Sequence, residues 1–200
     1  MNEQPVLKRL GILASHRGTN FQAILDACDE GRLKAKVVIA ISNNSQSEAL
    51  ARAKRAGIET QHISSLTHLT ASDQDTAIQI ALLAAEVDLV VTAGYMKKLG
   101  PKTLATYKQR IINVHPSLLP KYGGRGMYGN IVHEAVLDNG ETETGLTVHF
   151  VDGEYDTGPI LSQRSVKVLA NDTVSELSSR VLAEEHDLLV QTLIDLVECD

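Results

Sequence analysis

Apolar residues along the chain fall into two alternating kinds of stretch. Short, nearly continuous runs stand at LGILAS (10–15), VVIAIS (37–42), VDLVVTAG (87–94) and IINVH (111–115). They are rich in β-branched residues, as strands of a parallel sheet covered on both faces are. Between them, apolar residues recur at helical spacing. In NFQAILDACDEGR, Phe21, Ile24, Leu25 and Cys28 share a face, Asn20 is placed to cap the start and Gly31 to end the helix. SEALARAKRAG (47–57) and ASDQDTAIQIALLAAE (71–86) read as further helices, with ETQHI (59–63) a strand between them. This β-α-β-α order predicts an α/β fold: a doubly wound, mostly parallel sheet with right-handed crossovers.

The pattern changes after residue 140. TGLTVHFV (144–151) and GPILSQRSVKV (158–168) predict two strands joined by DGEYDTG. A helix over about 173–197 opens on Thr173-x-x-Glu176, a capping box, and carries Leu177, Val181, Leu182, Leu189, Leu193 and Leu196 as its apolar stripe. No repeat, linker or low-complexity segment interrupts the chain. One domain over 1–200 is expected, with a mixed C-terminal part.

In an open α/β sheet, ligands bind beyond the carboxyl ends of the strands. Four loops leave predicted strands there. SHRGTN (15–20) runs straight into a helix, so the backbone N–H groups of Gly18, Thr19 and Asn20 are free to hold a phosphate; a plain strand-to-helix turn is the structural alternative. GYMKKLGP (94–101) is the second. In the third, IINVH ends at Pro116, which cannot continue a central strand, and alternation along the strand sends Asn113 and His115 to the same side at its tip. An amide can donate to a developing oxyanion, and an imidazole can donate or transfer a proton. The pair suits direct attack of an amine on an acyl carbon. No Gly-x-Ser-x-Gly elbow appears, and covalent acyl transfer is not expected.

The fourth loop, DGEYDTG, sets Asp152, Glu154 and Asp156 at alternate positions, as a calcium loop begins. That loop needs Gly at its sixth place and Glu at its twelfth, where Thr157 and Gln163 stand here, so no metal is expected. Gly158 is expected to supply a positive φ, with Pro159 stiffening the exit. Asp156 is expected to turn back towards His115 and hold it charged. His149 and His186 read as structural; His62, His68 and His133 lack a partner pattern. GGRGMYG (123–129) holds four glycines in seven residues and reads as a surface loop or as a lid over substrate.

Of the 200 residues, 43% are hydrophobic and 22% charged, and the formal net charge is −6. A nucleic-acid binder would show a basic field, so that class is not expected. No apolar stretch reaches about eighteen residues and the N-terminus lacks a signal peptide's apolar core, so neither a membrane partner nor secretion is expected. With Cys28 and Cys199 the only cysteines, a cytoplasmic protein is the expectation.

NVHPSLLPKY (113–122) followed by DTGPI (156–160), with GTNFQAILDA and AGYM, resembles the folate-dependent formyltransferases. The resemblance runs from about residue 9 to 195 and favours the branch that formylates glycinamide ribonucleotide in purine synthesis. It implies a Rossmann-like formyltransferase core and an enzyme using 10-formyltetrahydrofolate as co-substrate, with no metal. It further implies that Asn113, His115 and Asp156 are the catalytic triad. Gly18, Thr19 and Asn20 would hold the ribonucleotide phosphate, and Glu185 would also contact the ribonucleotide. Met96, Lys97, Lys98 and Leu99, with Asp152, Gly153, Glu154, Tyr155 and Asp156, would form the pterin pocket, which Asn113 also reaches. The chain departs from the family pattern at His16-Arg17, where many members have small residues and Asn, and at Tyr122-Gly123-Gly124, where Tyr-Pro-Gly is usual. Around Ala71 no Arg stands where some members of the family place one to meet the folate's glutamate tail, and Lys97 or Lys98 are the candidates to substitute for it. Alternatives left open are formyl transfer to an amino sugar and a non-catalytic nucleotide-binding module. The hydrolase and tRNA branches are disfavoured, because the first strand is expected by about residue 9, one helix follows the core, and the net charge is acidic. The oligomeric state is not fixed by the sequence; a homodimer is among the options.

Overall fold

The computed structural model describes residues 7–198. The β-branched runs form strands β1 (Lys8–Leu13), β2 (Ala35–Ser42), β3 (Glu59–His62), β4 (Leu89–Thr92) and β5 (Ile111–His115), followed by β6 (Glu143–Phe150) and β7 (Ile160–Lys167). They make one sheet in the order β3-β2-β1-β4-β5-β6-β7. Pairing is parallel from β3 to β5 and antiparallel at β5–β6 and β6–β7. The chain winds outwards from β1 to β3, then returns past β1 to β4. The carboxyl ends of β1 and β4 therefore flank the switch point, where a crevice opens.

Among the described residues, six helices cover the sheet: α1 (Thr19–Asp29), α2 (Glu48–Arg55), α3 (Ala71–Ala84), α4 (Pro101–Thr106), α5 (Asn130–Asp138) and α6 (Val174–Glu198). Both faces are buried, and alternate strand residues divide between them. Ile12, Val91 and Ile112 pack with Phe21, Ile24, Leu50, Leu189 and Leu193, beneath α1, α2 and α6. Their neighbours Leu13, Val90 and Ile111 pack with Ile78, Leu82 and Tyr107, beneath α3 and the α4 end. Two-sided burial is why these strands read as unbroken apolar runs. Among the described residues, no helix is long and apolar enough to cross a membrane.

Several local expectations are corrected. Asn20 does not cap α1. The cap is Gly18 in the left-handed region (φ 66), without a side-chain bond, and Asn20 lies inside the first turn. Gly158 has no positive φ; the left-handed residue of that turn is Asp156 (φ 58). Glycine is required at 158 because a Cβ there would come within 1.8 Å of the Phe150 carbonyl oxygen. Two helices escaped the sequence reading. Six-residue α4 is too short to show a period, and α5 follows the glycine-rich stretch without a side-chain cap. The capping box at α6 is present, with Thr173 N–H donating to Glu176 at 2.8 Å. A second box, Thr70 with Asp73, opens α3.

The start of α4 depends on a neighbour. Gly100 brings no side chain, so buried Asp75 of α3 accepts from the N–H of Lys102 (2.8 Å), the N–H of Thr103 (3.0 Å) and the Thr103 hydroxyl (2.6 Å). Leaving buried donors unpaired costs about 1–3 kcal/mol each. Asp75→Ala is therefore expected to lower unfolding stability by about 2–4 kcal/mol in urea titration. A loss below about 0.5 kcal/mol, the size of an ordinary surface change, would show that α4 is held otherwise.

Candidate active site

The loops after β1, β4, β5 and β6 converge on a cleft of about 650 Å³, a size suited to a small-molecule ligand. At its β1 side, His16 to Asn20 line the wall. Ala49 N–H donates to the His16 carbonyl (3.1 Å) and Arg52 to the Arg17 carbonyl (3.0 Å), which pins this loop to α2. The start of α1 has no side-chain cap, which leaves the first N–H groups of the helix without a side-chain partner at the cleft wall. Gly18 serves this path twice, since its φ is positive and a Cβ would meet Ala49 at 2.8 Å. A larger residue at 18 would thus disturb α1–α2 packing as well as any ligand.

Asn113 and His115 stand at the tip of β5, as the alternation required. Asn113 pairs in register with His149 of β6. Its Nδ2 lies 3.2 Å from His149 Nε2, while His149 Nδ1 lies 2.8 Å from the Phe150 carbonyl. The carbonyl favours a proton on Nδ1, with Nε2 then accepting from the amide, while Asp156 Oδ1, 3.6 Å from Nε2, favours the other tautomer. His149, read from sequence as structural, thus belongs to the cluster. Its partner was hidden because register across β5 and β6 decides it. His133, also set aside, lines the cleft, and burial first, then the charge of His115, lowers it to about 4.

Asp156 does turn back towards His115. Its Oδ2 is 3.5 Å from His115 Nδ1 and its Oδ1 3.6 Å from His149 Nε2, while Gly124 N–H donates to Oδ2 at 2.9 Å. His115 Nε2 donates to the Tyr122 carbonyl at 2.8 Å. The expectation that Asp156 holds His115 charged is corrected in one respect. Burial first, helped by the charge of His149, lowers the imidazole pKa more than Asp156 and the Tyr122 carbonyl raise it, and the net direction is down. Burial raises Asp156, but contact with His149, the charge of His115 and the Gly124 N–H outweigh it, so this carboxylate stays ionised. The resting cluster is a carboxylate beside a neutral imidazole with acceptors on both nitrogens.

Met96, Lys97, Lys98 and Leu99 line the cleft after β4, with Gly153 to Asp156 opposite. Asp152 does not line it. Its Oδ1 accepts from Glu154 N–H (3.4 Å) and the Thr157 hydroxyl (3.0 Å), organising the turn instead. Lys98 is engaged by Glu154 at 3.0 Å, which ties the two walls together and leaves Lys97 the less committed cation. Ser15, missed in the sequence, holds the β4 loop to the β1 loop, accepting from Met96 N–H at 2.8 Å and donating to Asn43 at 2.5 Å. Residues 124–129 line the cleft, so the glycine-rich segment is part of its wall. From α6, Glu185 enters beside Asn20, whose Nδ2 lies 3.4 Å from Oε1. Among the described residues, no group of three or more acidic, His or Cys side chains is arranged to hold a metal.

Comparison with known proteins fits this geometry. Residues 8–193 match the family model described as formyl transferase. The chain is 38% identical over 182 residues to phosphoribosylglycinamide formyltransferase of Haemophilus influenzae, covering 91% of this chain and 84% of that protein. It is 37% identical to the chloroplastic phosphoribosylglycinamide formyltransferase of Arabidopsis thaliana, covering 96% of this chain but only 66%, just under two thirds, of that relative. The crystal structure of glycinamide ribonucleotide transformylase 1 from Symbiobacterium toebii superposes with a TM-score of 0.92 at 39% identity, covering 99% of this chain and 91% of that one.

Glu185 gives the site a measurable pH signature. Burial raises its carboxyl from 4.5 to about 7, against the smaller opposing bond from Asn20. Between those values the folded chain holds a proton that the unfolded chain has released, so stability falls as pH rises from 4.5 to about 7. The full effect is up to about 3 kcal/mol. Glu185→Gln is expected to flatten this slope and to raise the melting temperature at pH 8. An unchanged slope in that variant would place the titration elsewhere.

Proposed function

The chain belongs to the formyl transferase family, and from that premise we propose that it transfers the formyl group of 10-formyltetrahydrofolate to the amine of glycinamide ribonucleotide. The observation that carries this reading is a single cleft lined by an anion-ready helix start, the Asn113–His115–Asp156 cluster and the Met96–Leu99 wall. On this reading Gly18, Thr19 and Asn20 receive the phosphate, and Glu185 faces the polar body of the ribonucleotide. Met96 and Leu99, with Gly153 to Tyr155, supply the apolar and backbone contacts a flat pterin requires.

The amine attacks the formyl carbon, which becomes tetrahedral and places negative charge on its oxygen. The N–H of Asn113 not spent on His149 is free to meet that charge. The amine must lose a proton, and neutral His115 beside ionised Asp156 can receive it. The imidazolium so formed has an acceptor at each nitrogen, Tyr122 O and Asp156. As the bond from the formyl carbon to the folate nitrogen breaks, one proton passes to that nitrogen, which balances the exchange.

The decisive experiment offers purified protein and 10-formyltetrahydrofolate three acceptors: glycinamide ribonucleotide, amino sugars and water. Rapid transfer to the ribonucleotide is expected, and preference for an amino sugar or for water would overturn the substrate assignment. Asn113→Ala and His115→Ala are each expected to lower kcat by about 10²–10⁴-fold. Near-normal turnover in either would defeat the mechanism.

Asp156→Asn tests the electrostatics. The carboxylate raises the His115 pKa, so its removal leaves burial less opposed and lowers that pKa further. The limb of the pH–rate profile governed by this imidazole is expected to move to lower pH, as a property of the coupled pair. A limb that stays in place would remove Asp156 from this role.

A further inference from the structure

Thr92 ends β4 and is the register partner of Asn113, on the same face of the sheet. It is buried, and its hydroxyl oxygen lies 2.8 Å from Asn113 Oδ1 and 3.1 Å from the Ile112 carbonyl. The two ends of an asparagine amide have nearly the same shape. Only the donors and acceptors around them decide which end points where. On one flank Phe150 O, 2.8 Å from His149 Nδ1, favours the tautomer whose Nε2 accepts from the amide at 3.2 Å, while the Asp156 carboxylate, 3.6 Å from that same Nε2, favours the other. On the other flank the sole hydroxyl reaching Asn113 Oδ1, among the described residues, is that of Thr92.

We propose that Thr92 is a positioning residue for the reaction: its hydroxyl donates to Asn113 Oδ1 and so fixes the amide with its NH₂ available to the developing oxyanion. The inference rests on the reading of Asn113 given above. Without the hydroxyl, Oδ1 would face an apolar group and lose its partner, an unfavourable state for a half-buried acceptor. Rotation of the amide by half a turn would relieve this. Oδ1 would then face His149, which would have to move its proton to Nε2 to meet it. The flipped amide presents a carbonyl oxygen where the N–H had been, and that oxygen repels an oxyanion.

The test compares Thr92→Val, which keeps the shape and removes the hydroxyl, with Thr92→Ser, which keeps the hydroxyl. Thr92→Val is expected to lower kcat by about tenfold or more, the rate equivalent of a lost hydrogen bond of ordinary strength. Both Michaelis constants should stay within about twofold, because a transition-state contact is lost and not ground-state binding. Thr92→Ser should retain most of the activity. Nitrogen-15 NMR of His149 supplies a readout that a structural role would not move: the Nδ1–H tautomer is expected in the wild type and in Thr92→Ser, and loss of its dominance in Thr92→Val. Wild-type kcat in Thr92→Val, a Thr92→Ser variant as slow as Thr92→Val, or an unchanged His149 tautomer would each overturn the proposal. Should Thr92→Val fail to fold, Thr92→Ala against Thr92→Ser makes the same comparison. The NMR result stands apart from formyl transfer, so a protein inactive on glycinamide ribonucleotide would leave this proposal separately decided.

Discussion

The chemistry of this cleft depends on one line of polar side chains laid across three strands. Thr92, Asn113 and His149 are register neighbours on β4, β5 and β6. They share the face of Val90 and Ile111, where the apolar packing beneath α3 gives way to the cleft. Buried polar groups persist only when partnered. Here each one satisfies the next, ending at the Phe150 carbonyl. The antiparallel strand is essential to this arrangement. It runs β6 back along β5, so that His149 faces Asn113 and Thr147 faces His115. Thr147 in turn accepts from Leu119 N–H and donates to Ser117 O, which anchors the loop bringing the Tyr122 carbonyl to His115.

Electrostatics in the cleft are a contest that burial mostly wins. His115 and His133 are lowered, and Glu185 is raised to about 7, in each case with burial as the first cause. Asp156 is the exception, because Gly124 N–H and two imidazoles surround it. The resting site therefore keeps one settled negative charge, two imidazoles whose burial favours the neutral form, and one carboxyl raised to about 7. A site of this kind can accept a proton and return it without stranding a charge in a low-dielectric wall.

Local backbone conformation makes this possible at two positions. Asp156 adopts a left-handed conformation that directs its carboxylate inwards. Gly158 then passes so close to the Phe150 carbonyl that no side chain fits. The turn is thus shaped by a steric limit at one residue and a strained φ at another, and the carboxylate's aim depends on both.

Much of this was legible in the chain. Apolar runs placed β5 to the residue and located β1 and β2 with ends displaced by up to about two residues, since two-sided burial leaves little room for polar positions. The alternation at Ile111–His115 paired Asn113 with His115, because strand parity is a local property. Thr173 and Glu176 marked the start of α6 for the same reason. Other features were beyond local reading. His149 and Thr92 join the site only through cross-strand register, which the sequence does not write. Asp152 and Asp156 lie four residues apart in one acidic loop, yet the fold turns only Asp156 into the cleft. The direction of the His115 shift was misjudged because a neighbouring carboxylate can be inferred from a motif, whereas burial is the sum of contacts from distant segments. Periodicity and parity belong to the chain; register, burial and the balance of charge belong to the fold, because they arise only when segments far apart in sequence are packed together.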